Sequence, residues 1–152
     1  MATPVMSSHR MVQVGIVVRN VEESAKKYAA IFGLPVPKVS LTDGADKSHI
    51  QYRGKPTTAQ AKLAFLDMES LQLELIEPVN GPSTWREFLD KKGEGVHHIA
   101  FVVPDTEAEE KTLGEHGIKL VQKGDYTGGR YAYFESEPHL AVALELLQNF
   151  GK

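Results

Sequence analysis

The chain contains no cysteine, and this absence excludes several kinds of chemistry at once. Disulfide bonds, zinc sites built on thiolates and catalysis by a thiol nucleophile all require a cysteine side chain. Any metal site or catalytic base in this protein would have to use other side chains.

Charge of one sign is also lacking, as are long hydrophobic runs. The 17 Lys and Arg residues nearly balance the 20 Asp and Glu residues, and a net charge of −3 does not indicate a nucleic-acid or anionic-membrane partner. No apolar run approaches the ~20 residues that cross a bilayer, and residues 1–10 lack the apolar core of a signal peptide. We therefore expect the 152 residues, 41% of them hydrophobic, to form a cytoplasmic, water-soluble protein of one domain or two small modules sharing a core.

An internal repeat is the most informative feature that the chain does have. Residues 13–23 return as residues 98–108, and residues 71–76 return as residues 141–147. In both copies a polar residue, Gln13 or His98, opens an apolar strand, after which a turn leads into a helix. Each copy ends on an apolar strand that carries a glutamate, Glu74 or Glu145. Duplication with polar residues at matching places indicates one shared site built from two half-sites.

The hydrophobic periodicity predicts an α+β protein with the order β-α-β-β-β written twice. Asn20 is expected to cap the first helix, over residues 21–32, and Gly33 to end it. Residues 34–58 predict a short strand followed by a mobile loop. Together these predict one structural domain with a flexible N-terminus (1–10), a first module (11–80), a linker helix (81–95) and a second module (96–149).

The two glutamates differ in how strongly the sequence indicates burial. Alternation along residues 71–75 sets Glu74 opposite the leucines, and for a single antiparallel strand a solvated face is the more usual explanation of that pattern. Glu145 shares its face with Ala143 and Leu147, so that face is not plainly polar. A carboxylate between apolar neighbours costs several kcal/mol unless it is paired or bound to a metal.

His98 follows His97, so a regular strand would point the two side chains to opposite sides, and only one could enter a given site. A lone histidine is more often a core residue, but the repeat pairs His98 with Gln13. Imidazole, two carboxylates and an amide oxygen related by a pseudo-twofold axis can converge on one divalent ion, such as Zn²⁺, Ni²⁺, Co²⁺ or Mn²⁺.

Residues 13–18, 73–78, 97–101 and 144–146, taken in order within this arrangement, resemble the vicinal oxygen chelate superfamily. That group includes glyoxalases, methylmalonyl-CoA epimerases, extradiol dioxygenases and bleomycin resistance proteins. The resemblance implies curled mixed sheets around one shared metal-site cavity, a homodimer, and one divalent metal ion. The ligands that it implies are Gln13, Glu74, His98 and Glu145.

Within that superfamily, residues 74–78, the doubled histidine and the loop 127–129 most resemble the methylmalonyl-CoA epimerases. Gln13 departs from them, because the first ligand there is most often His, and resembles the ligand set of glutathione-dependent glyoxalase. Val17 and Pro78 stand where that glyoxalase branch has the Arg and Asn that hold glutathione, so the ligand set is similar but the glutathione clamp is absent.

The implied activity is that of a metal-dependent isomerase, epimerase or glyoxalase-type lyase. Such an enzyme removes a proton next to a carbonyl of an acyl-CoA or 2-oxo compound through a metal-bound enediolate. Glu145 is the first candidate for the base and Glu74 the second. Arg130 could grip a substrate carboxylate or a coenzyme A phosphate, although a solvated loop arginine explains it equally well.

Two points in this resemblance stay open. The epimerases are thought to use a further Glu before the second ligand, and here only Lys62, Gln60 or Glu69 could replace it. The alternative function is a metal-free binding protein of the bleomycin-resistance type. The sequence disfavours an extradiol dioxygenase. Such an enzyme needs two His and one carboxylate around iron, and here Gln13 replaces the first His.

Overall fold

The computed structural model describes residues 3–151, so the expected flexibility of residues 1–10 falls partly outside the described residues. The strands are β1 (Met11–Val17), β2 (Ser40–Leu41), β3 (Gln51–Tyr52), β4 (Lys55–Pro56), β5 (Gln60–Asp67), β6 (Gln72–Asn80), β7 (Gly95–Val102), β8 (Leu120–Tyr126), β9 (Gly129–Phe134) and β10 (Ala143–Asn149). The helices are α1 (Val21–Phe32), α2 (Ala45–Ser48), α3 (Thr84–Lys92), α4 (Thr106–Glu115) and α5 (Glu137–Leu140).

All ten strands form one strongly curled mixed sheet in the order β2-β5-β6-β1-β7-β10-β9-β8-β3-β4. At its centre β1 and β7 run antiparallel, β6 runs parallel to β1, and β10 runs parallel to β7. The first and last long strands of each half are therefore neighbours. This arrangement confirms the predicted fold class, an α+β protein with a curled mixed sheet.

The β1–β6 pair in the first half and the β7–β10 pair in the second half have the same register, which explains why the polar residues of the two halves meet. The corresponding pairs are Gln13 with Gln72 and Gly15 with Glu74 in the first half, and His98 with Ala143 and Ala100 with Glu145 in the second. Across the central β1–β7 pair, Gln13 lies opposite Ala100 and Gly15 opposite His98. Gln13 and Glu74 in the first half therefore occupy the same positions as His98 and Glu145 in the second, on four neighbouring strands in the middle of the sheet.

A β-bulge precedes the first-strand polar residue in each half. The register between β1 and β7 shifts at two places, which leaves Val12 and His97 without a residue opposite. A bulge adds one residue to one strand and turns the side chains next to it. The alternation expected for His97 and His98 is interrupted at this point.

The first helix has the ends that the sequence predicts. The side chain of Asn20 accepts a hydrogen bond from the backbone N–H of Glu23, and Gly33 adopts the left-handed conformation (φ 68°) at the C-cap. The final strand begins later than the repeated segment 141–147, which the sequence predicts to be a strand. Residues 137–140 form α5, which ends at Ala141 in the left-handed region (φ 64°), and β10 begins only at Ala143.

Residues 34–58 are more ordered in structure than the predicted strand and loop. β2 pairs with β5 at one edge of the sheet, whereas β3 pairs with β8 at the opposite edge. Residues 42–50, which contain α2, connect these two edges. We call residues 42–50 the strap, because they cross the open side of the curled sheet.

The core is divided into clusters, two of which lie beneath long helices. One cluster packs α1 against β5 and β6 and includes Val21, Ala25 and Leu75. Another lies beneath α4 around Leu113 and Phe134, and Val5 and Met6 of the N-terminal segment pack against it. Within residues 3–151, no helix has the length and apolar character required to cross a membrane.

Candidate metal centre

The four side chains that the sequence suggests as metal ligands come together at the centre of the sheet. Gln13 on β1, Glu74 on β6, His98 on β7 and Glu145 on β10 are exposed by 5%, 7%, 0% and 4% respectively. The Nε2 atom of His98 lies 2.9 Å from Oε1 of Gln13, 3.4 Å from Oε1 of Glu74 and 3.2 Å from Oε1 of Glu145.

Two of the oxygens at this centre fit a bound cation better than a hydrogen-bonded network. Oε1 of Glu74 and Oε1 of Glu145 are buried and have no hydrogen-bond partner among residues 3–151. One ligand atom each from Glu74, His98 and Glu145 lies within 4.8 Å of the others. Buried carboxylate oxygens without partners are costly unless a cation compensates them. With the amide oxygen of Gln13 added, this donor set suits Zn²⁺, Ni²⁺, Co²⁺ or Mn²⁺.

Burial and mutual repulsion shift the acid–base properties of these groups. Burial raises the pKa of Glu74 to about 8, with the nearby charge of Glu145 adding to the rise and that of His98 opposing it. Burial alone would lower the pKa of His98, but the carboxylates of Glu145 and Glu74 outweigh it, so that pKa lies above its ordinary value. The centre therefore holds two close carboxylates whose negative charge a divalent cation would neutralise.

The amide group of Gln13 is oriented by a neighbour that the sequence reasoning did not single out. Its Nε2 donates a hydrogen bond to Oε1 of Gln72 at 2.6 Å. The other end of the amide, Oε1, consequently points toward His98. The oxygen, which is the end that can bind a cation, is therefore the end that faces the centre.

Gly15 makes room for the ring of His98. The two residues lie opposite each other on β1 and β7, and a Cβ atom added at Gly15 would overlap the imidazole ring. A glycine inside an apolar strand often marks such a close approach. This was the one signal in the sequence that could have identified Gly15 as part of the site.

The prediction that His97 and His98 face opposite sides is wrong, because the bulge brings both rings together. Their ring centroids are 5.2 Å apart, and Nδ1 of His97 lies 2.9 Å from Nδ1 of His98. The other ring nitrogen of His97, Nε2, lies 3.1 Å from Oγ1 of Thr84 at the start of α3. His97 is 3% exposed. It therefore forms a buried contact behind His98, which the alternation in the sequence did not predict.

A cavity of about 490 Å³ opens beside Gln13, Glu74 and Glu145. The aromatic part of its wall is formed by Phe65, Trp85, Tyr126, Tyr131 and Tyr133. Nε1 of Trp85 donates a hydrogen bond to the hydroxyl of Tyr133 at 3.1 Å, which fixes these two rings edge to face. The strap supplies Thr42, Asp43, Ser48 and Ile50. The candidate metal centre therefore faces a mostly apolar space large enough for a small molecule.

Arg130 does not line this cavity. Its Nη1 lies 3.3 Å from Oε1 of Glu107, and its guanidinium group lies 5.0 Å from the ring centre of Phe150. These contacts place it at a second, smaller pocket beside α4 and β8. Its contact with a substrate anion stays a prediction.

The suggested replacements for a further base are also elsewhere. Nζ of Lys62 lies 3.7 Å from a carboxylate oxygen of Glu22, and Nε2 of Gln60 donates to the backbone oxygen of Thr42. Glu69 lies in the turn after β5 with φ at 68°. None of the three lines the 490 Å³ cavity.

Comparisons with known proteins agree with this architecture. Residues 12–134 match the family model of the glyoxalase/bleomycin resistance protein/dioxygenase superfamily. An uncharacterized protein, YqjC of Bacillus subtilis (strain 168), is 26% identical over 148 residues, which are 94% of this chain and 94% of the relative.

Solved structures with the same fold include methylmalonyl-CoA epimerases. The crystal structure of the enzyme from Mycobacterium tuberculosis superposes with a TM-score of 0.64 at 21% identity, covering 99% of this chain and 93% of the other. A variant of the Streptomyces coelicolor epimerase in complex with 2-nitronate-propionyl-CoA has a TM-score of 0.63 at 21% identity, covering 93% of this chain and 98% of the other. At this level of identity the likeness shows a shared fold.

Proposed function

Because the chain belongs to the glyoxalase/bleomycin resistance protein/dioxygenase superfamily, we propose that it is a metal-dependent epimerase, isomerase or glyoxalase-type lyase. The proposed reaction moves a proton on a carbon atom next to a carbonyl group. Its proposed substrate is a small acyl-CoA or 2-oxo compound.

One observation carries this proposal: two buried carboxylate oxygens without hydrogen-bond partners face one imidazole nitrogen beside a cavity. Gln13, Glu74, His98 and Glu145 would hold the ion. When bound, a divalent cation withdraws charge from substrate oxygens and so makes the neighbouring C–H more acidic. That effect matters only where an acid or base lies beside the cavity and can move the proton.

The chain itself offers a base on each side of the centre. Glu145 comes from β10 in the second half and Glu74 from β6 in the first half, so the two carboxylates approach from opposite halves of the sheet. In the proposed mechanism Glu145 removes the proton through its carboxylate, and the proton returns either from Glu145 or from Glu74. Return by the same residue to an adjacent carbon isomerises the substrate, whereas return to the opposite face epimerises it.

The cavity wall indicates what the rest of the chain does for the reaction. The aromatic side chains of Trp85 and Tyr133 are buried and fixed by their mutual hydrogen bond. They would pack against the carbon skeleton of a substrate and exclude water from the reacting carbon. The strap covers the open side of the same space. For an acyl-CoA, the long polar part would extend past the strap into solvent.

Metal content and proton exchange test the proposal together. The purified protein should contain or take up one divalent ion per chain, measured by elemental analysis and by titration with Zn²⁺, Ni²⁺, Co²⁺ and Mn²⁺. The loaded protein should then catalyse deuterium exchange from D₂O into one member of a panel of acyl-CoA and 2-oxo compounds. Protein treated with a chelator should lose this exchange and regain it when the ion is restored.

The opposite result would favour the alternative function. A protein that binds none of these ions at micromolar concentration, and binds aromatic compounds in the cavity, would be a sequestering protein of the bleomycin-resistance type. The homodimer expected from the family stays a prediction, which light scattering at micromolar concentration would check.

A further inference from the structure

His97 lies directly behind the candidate ligand His98 and has no part in the chemistry described above. It occupies the bulge of β7, is 3% exposed, and packs edge to face against Phe88 and Tyr133, with ring centroids 5.4 Å and 5.1 Å away. These contacts fix the plane of its ring. Both of its ring nitrogens have polar partners: Nδ1 meets His98, and Nε2 meets Thr84.

The hydrogen bonds that link His98, His97 and Thr84 depend on one another. A neutral imidazole has one N–H donor and one acceptor nitrogen. If Nε2 of His98 held the ion, it would carry no proton, so the proton would be on Nδ1 and would be donated to Nδ1 of His97, which lies 2.9 Å away. His97 then carries its own proton on Nε2 and donates it to Oγ1 of Thr84 at 3.1 Å. Each assignment determines the next.

The same residues are also satisfied in the reverse direction. Without a cation, and at a pH above the raised pKa of His98 where its ring is neutral, Nε2 of His98 can donate to Oε1 of Gln13 at 2.9 Å. Nδ1 of His98 then accepts a hydrogen bond from His97, and Nε2 of His97 accepts one from the hydroxyl of Thr84. The threonine hydroxyl serves both directions because it can donate or accept. No buried ring nitrogen is left without a partner in either state, which a buried network requires.

Thr84 is itself held firmly at the beginning of α3. Its backbone N–H donates to Oε1 of Gln122 at 2.8 Å, and the side chain of the preceding Ser83 caps the helix by accepting from the N–H of Arg86. Thr84 is 9% exposed. The linker helix therefore anchors the far end of the hydrogen-bond chain.

We propose that His97 and Thr84 are positioning residues that set which ring nitrogen of His98 carries its proton. The direction of the His98–His97–Thr84 hydrogen bonds reverses when a divalent cation binds to the neutral form of His98. This inference rests on the proposed metal site but concerns residues that do not touch the ion. Partners that orient a metal-binding histidine through its other nitrogen typically change metal affinity 10–100-fold when they are removed.

Four variants in two matched pairs test the inference. His97→Phe keeps a ring of similar shape but has no acceptor, whereas His97→Asn keeps an acceptor close to the position of Nδ1. Thr84→Val keeps the shape of the side chain without the hydroxyl, whereas Thr84→Ser keeps the hydroxyl. The measurements are Zn²⁺ affinity by competition with a chelator and the ¹⁵N NMR signals of the His98 ring with and without Zn²⁺.

In the parent protein, at a pH where the metal-free ring of His98 is neutral, Zn²⁺ should move the proton of His98 from Nε2 to Nδ1. His97→Phe should weaken Zn²⁺ binding about 10–100-fold and leave the Nδ1–H of His98 exchanging rapidly. His97→Asn should recover most of the affinity and the slowly exchanging Nδ1–H. Thr84→Val should lose less affinity than His97→Phe, and Thr84→Ser should resemble the parent protein.

Several outcomes would overturn the inference while leaving the metal site intact. One is Zn²⁺ binding with equal affinity in the parent protein, His97→Phe and Thr84→Val. Another is a His98 that binds Zn²⁺ through Nδ1. If the parent protein binds no divalent ion, the proposed function fails first. If His97→Phe does not fold, the Thr84 pair provides the same comparison on a smaller scale.

Discussion

The two halves of the molecule present equivalent side chains at the centre of the sheet but hold them in different ways. In the first half, Gln13 is oriented by Gln72, its neighbour across the parallel β1–β6 pair. The equivalent of Gln72 in the second half is Ala143, which cannot form a hydrogen bond through its side chain. There His98 is oriented by His97, the bulge residue of its own strand.

The residues opposite these two side chains differ for a related reason. His98 lies across from Gly15, where a Cβ atom would overlap the imidazole ring, and Gln13 lies across from Ala100. A rigid ring needs space in one fixed plane, whereas a flexible amide can adapt to a neighbouring methyl group. A change of ligand type between two copies of a repeat thus requires changes in the facing residue and in the orienting residue.

The largest expected effect distinguishes the two carboxylates. Glu145→Gln should keep much of the metal, because an amide oxygen can still coordinate, but should lose proton transfer by about 10²–10⁴-fold, as expected for a positioned general base. Glu74→Gln should retain more activity. The measurement is the rate of deuterium exchange into substrate by metal-loaded protein. A native rate in Glu145→Gln, together with a loss in Glu74→Gln, would reverse the two roles.

The second prediction exchanges the residues that face the two ligands. In Gly15→Ala the added methyl group would displace the ring of His98, and Zn²⁺ affinity should fall at least as much as for a lost orienting contact, about 10–100-fold. In the matched variant Ala100→Gly, affinity should stay close to that of the parent protein, and the free energy of unfolding should fall by about 0.5–1 kcal/mol. Equal affinity losses in both variants would remove the distinction between a rigid and a flexible ligand.

A third, smaller effect concerns the orientation of the amide. Gln72→Leu removes the acceptor for Nε2 of Gln13, so the amide can rotate and Zn²⁺ affinity should fall by about 10-fold or less. We expect less than for His97→Phe, because Gln72 is exposed and water can replace it. Gln51→Leu, in a strand away from the centre, is the control. An unchanged affinity in Gln72→Leu would mean that the metal alone orients Gln13.

The smallest expected effect is a dependence of stability on pH in the metal-free protein. The pKa of Glu74 is raised by burial from 4.5 to about 8, and that of His98 is raised by the two carboxylates. The folded protein therefore keeps protons that the unfolded chain has already lost. The pKa of His97 is lowered by burial, so His97 opposes this effect near pH ~6.5, where the unfolded chain is still partly protonated, and contributes little toward pH ~8.

Between pH ~6.5 and 8, the free energy of unfolding of the metal-free protein should decrease, by at most about 1.4 kcal/mol per pH unit for each proton. Urea unfolding in the presence of a chelator measures this slope. Glu74→Gln should reduce the slope, and saturating Zn²⁺ should abolish it, because metal binding displaces the protons. No decrease over this range would mean that neither Glu74 nor His98 keeps an extra proton in the folded protein.

Much of the architecture could be predicted from the repeat. The α+β class and both ends of α1 follow from short patterns, because hydrophobic periodicity and helix caps are local properties. The family follows from the resemblance of four short motifs taken in order. The structure brings Gln13, Glu74, His98 and Glu145 together, although their roles as ligands and bases stay predictions. The hairpin formed by β3 and β4 could not be predicted, because two-residue strands carry no periodicity and depend on pairing with β8.

The sequence alone determined which residue types stand at equivalent places in the two copies, and therefore that Gln13 and His98, like Glu74 and Glu145, correspond. Only the tertiary structure decided how each side chain is held. Bulges, facing residues and cross-strand partners depend on the register between distant strands, and a shift of one residue reverses the direction of a side chain. That is why local alternation placed His97 on the wrong side, while the folded sheet brings its ring against His98.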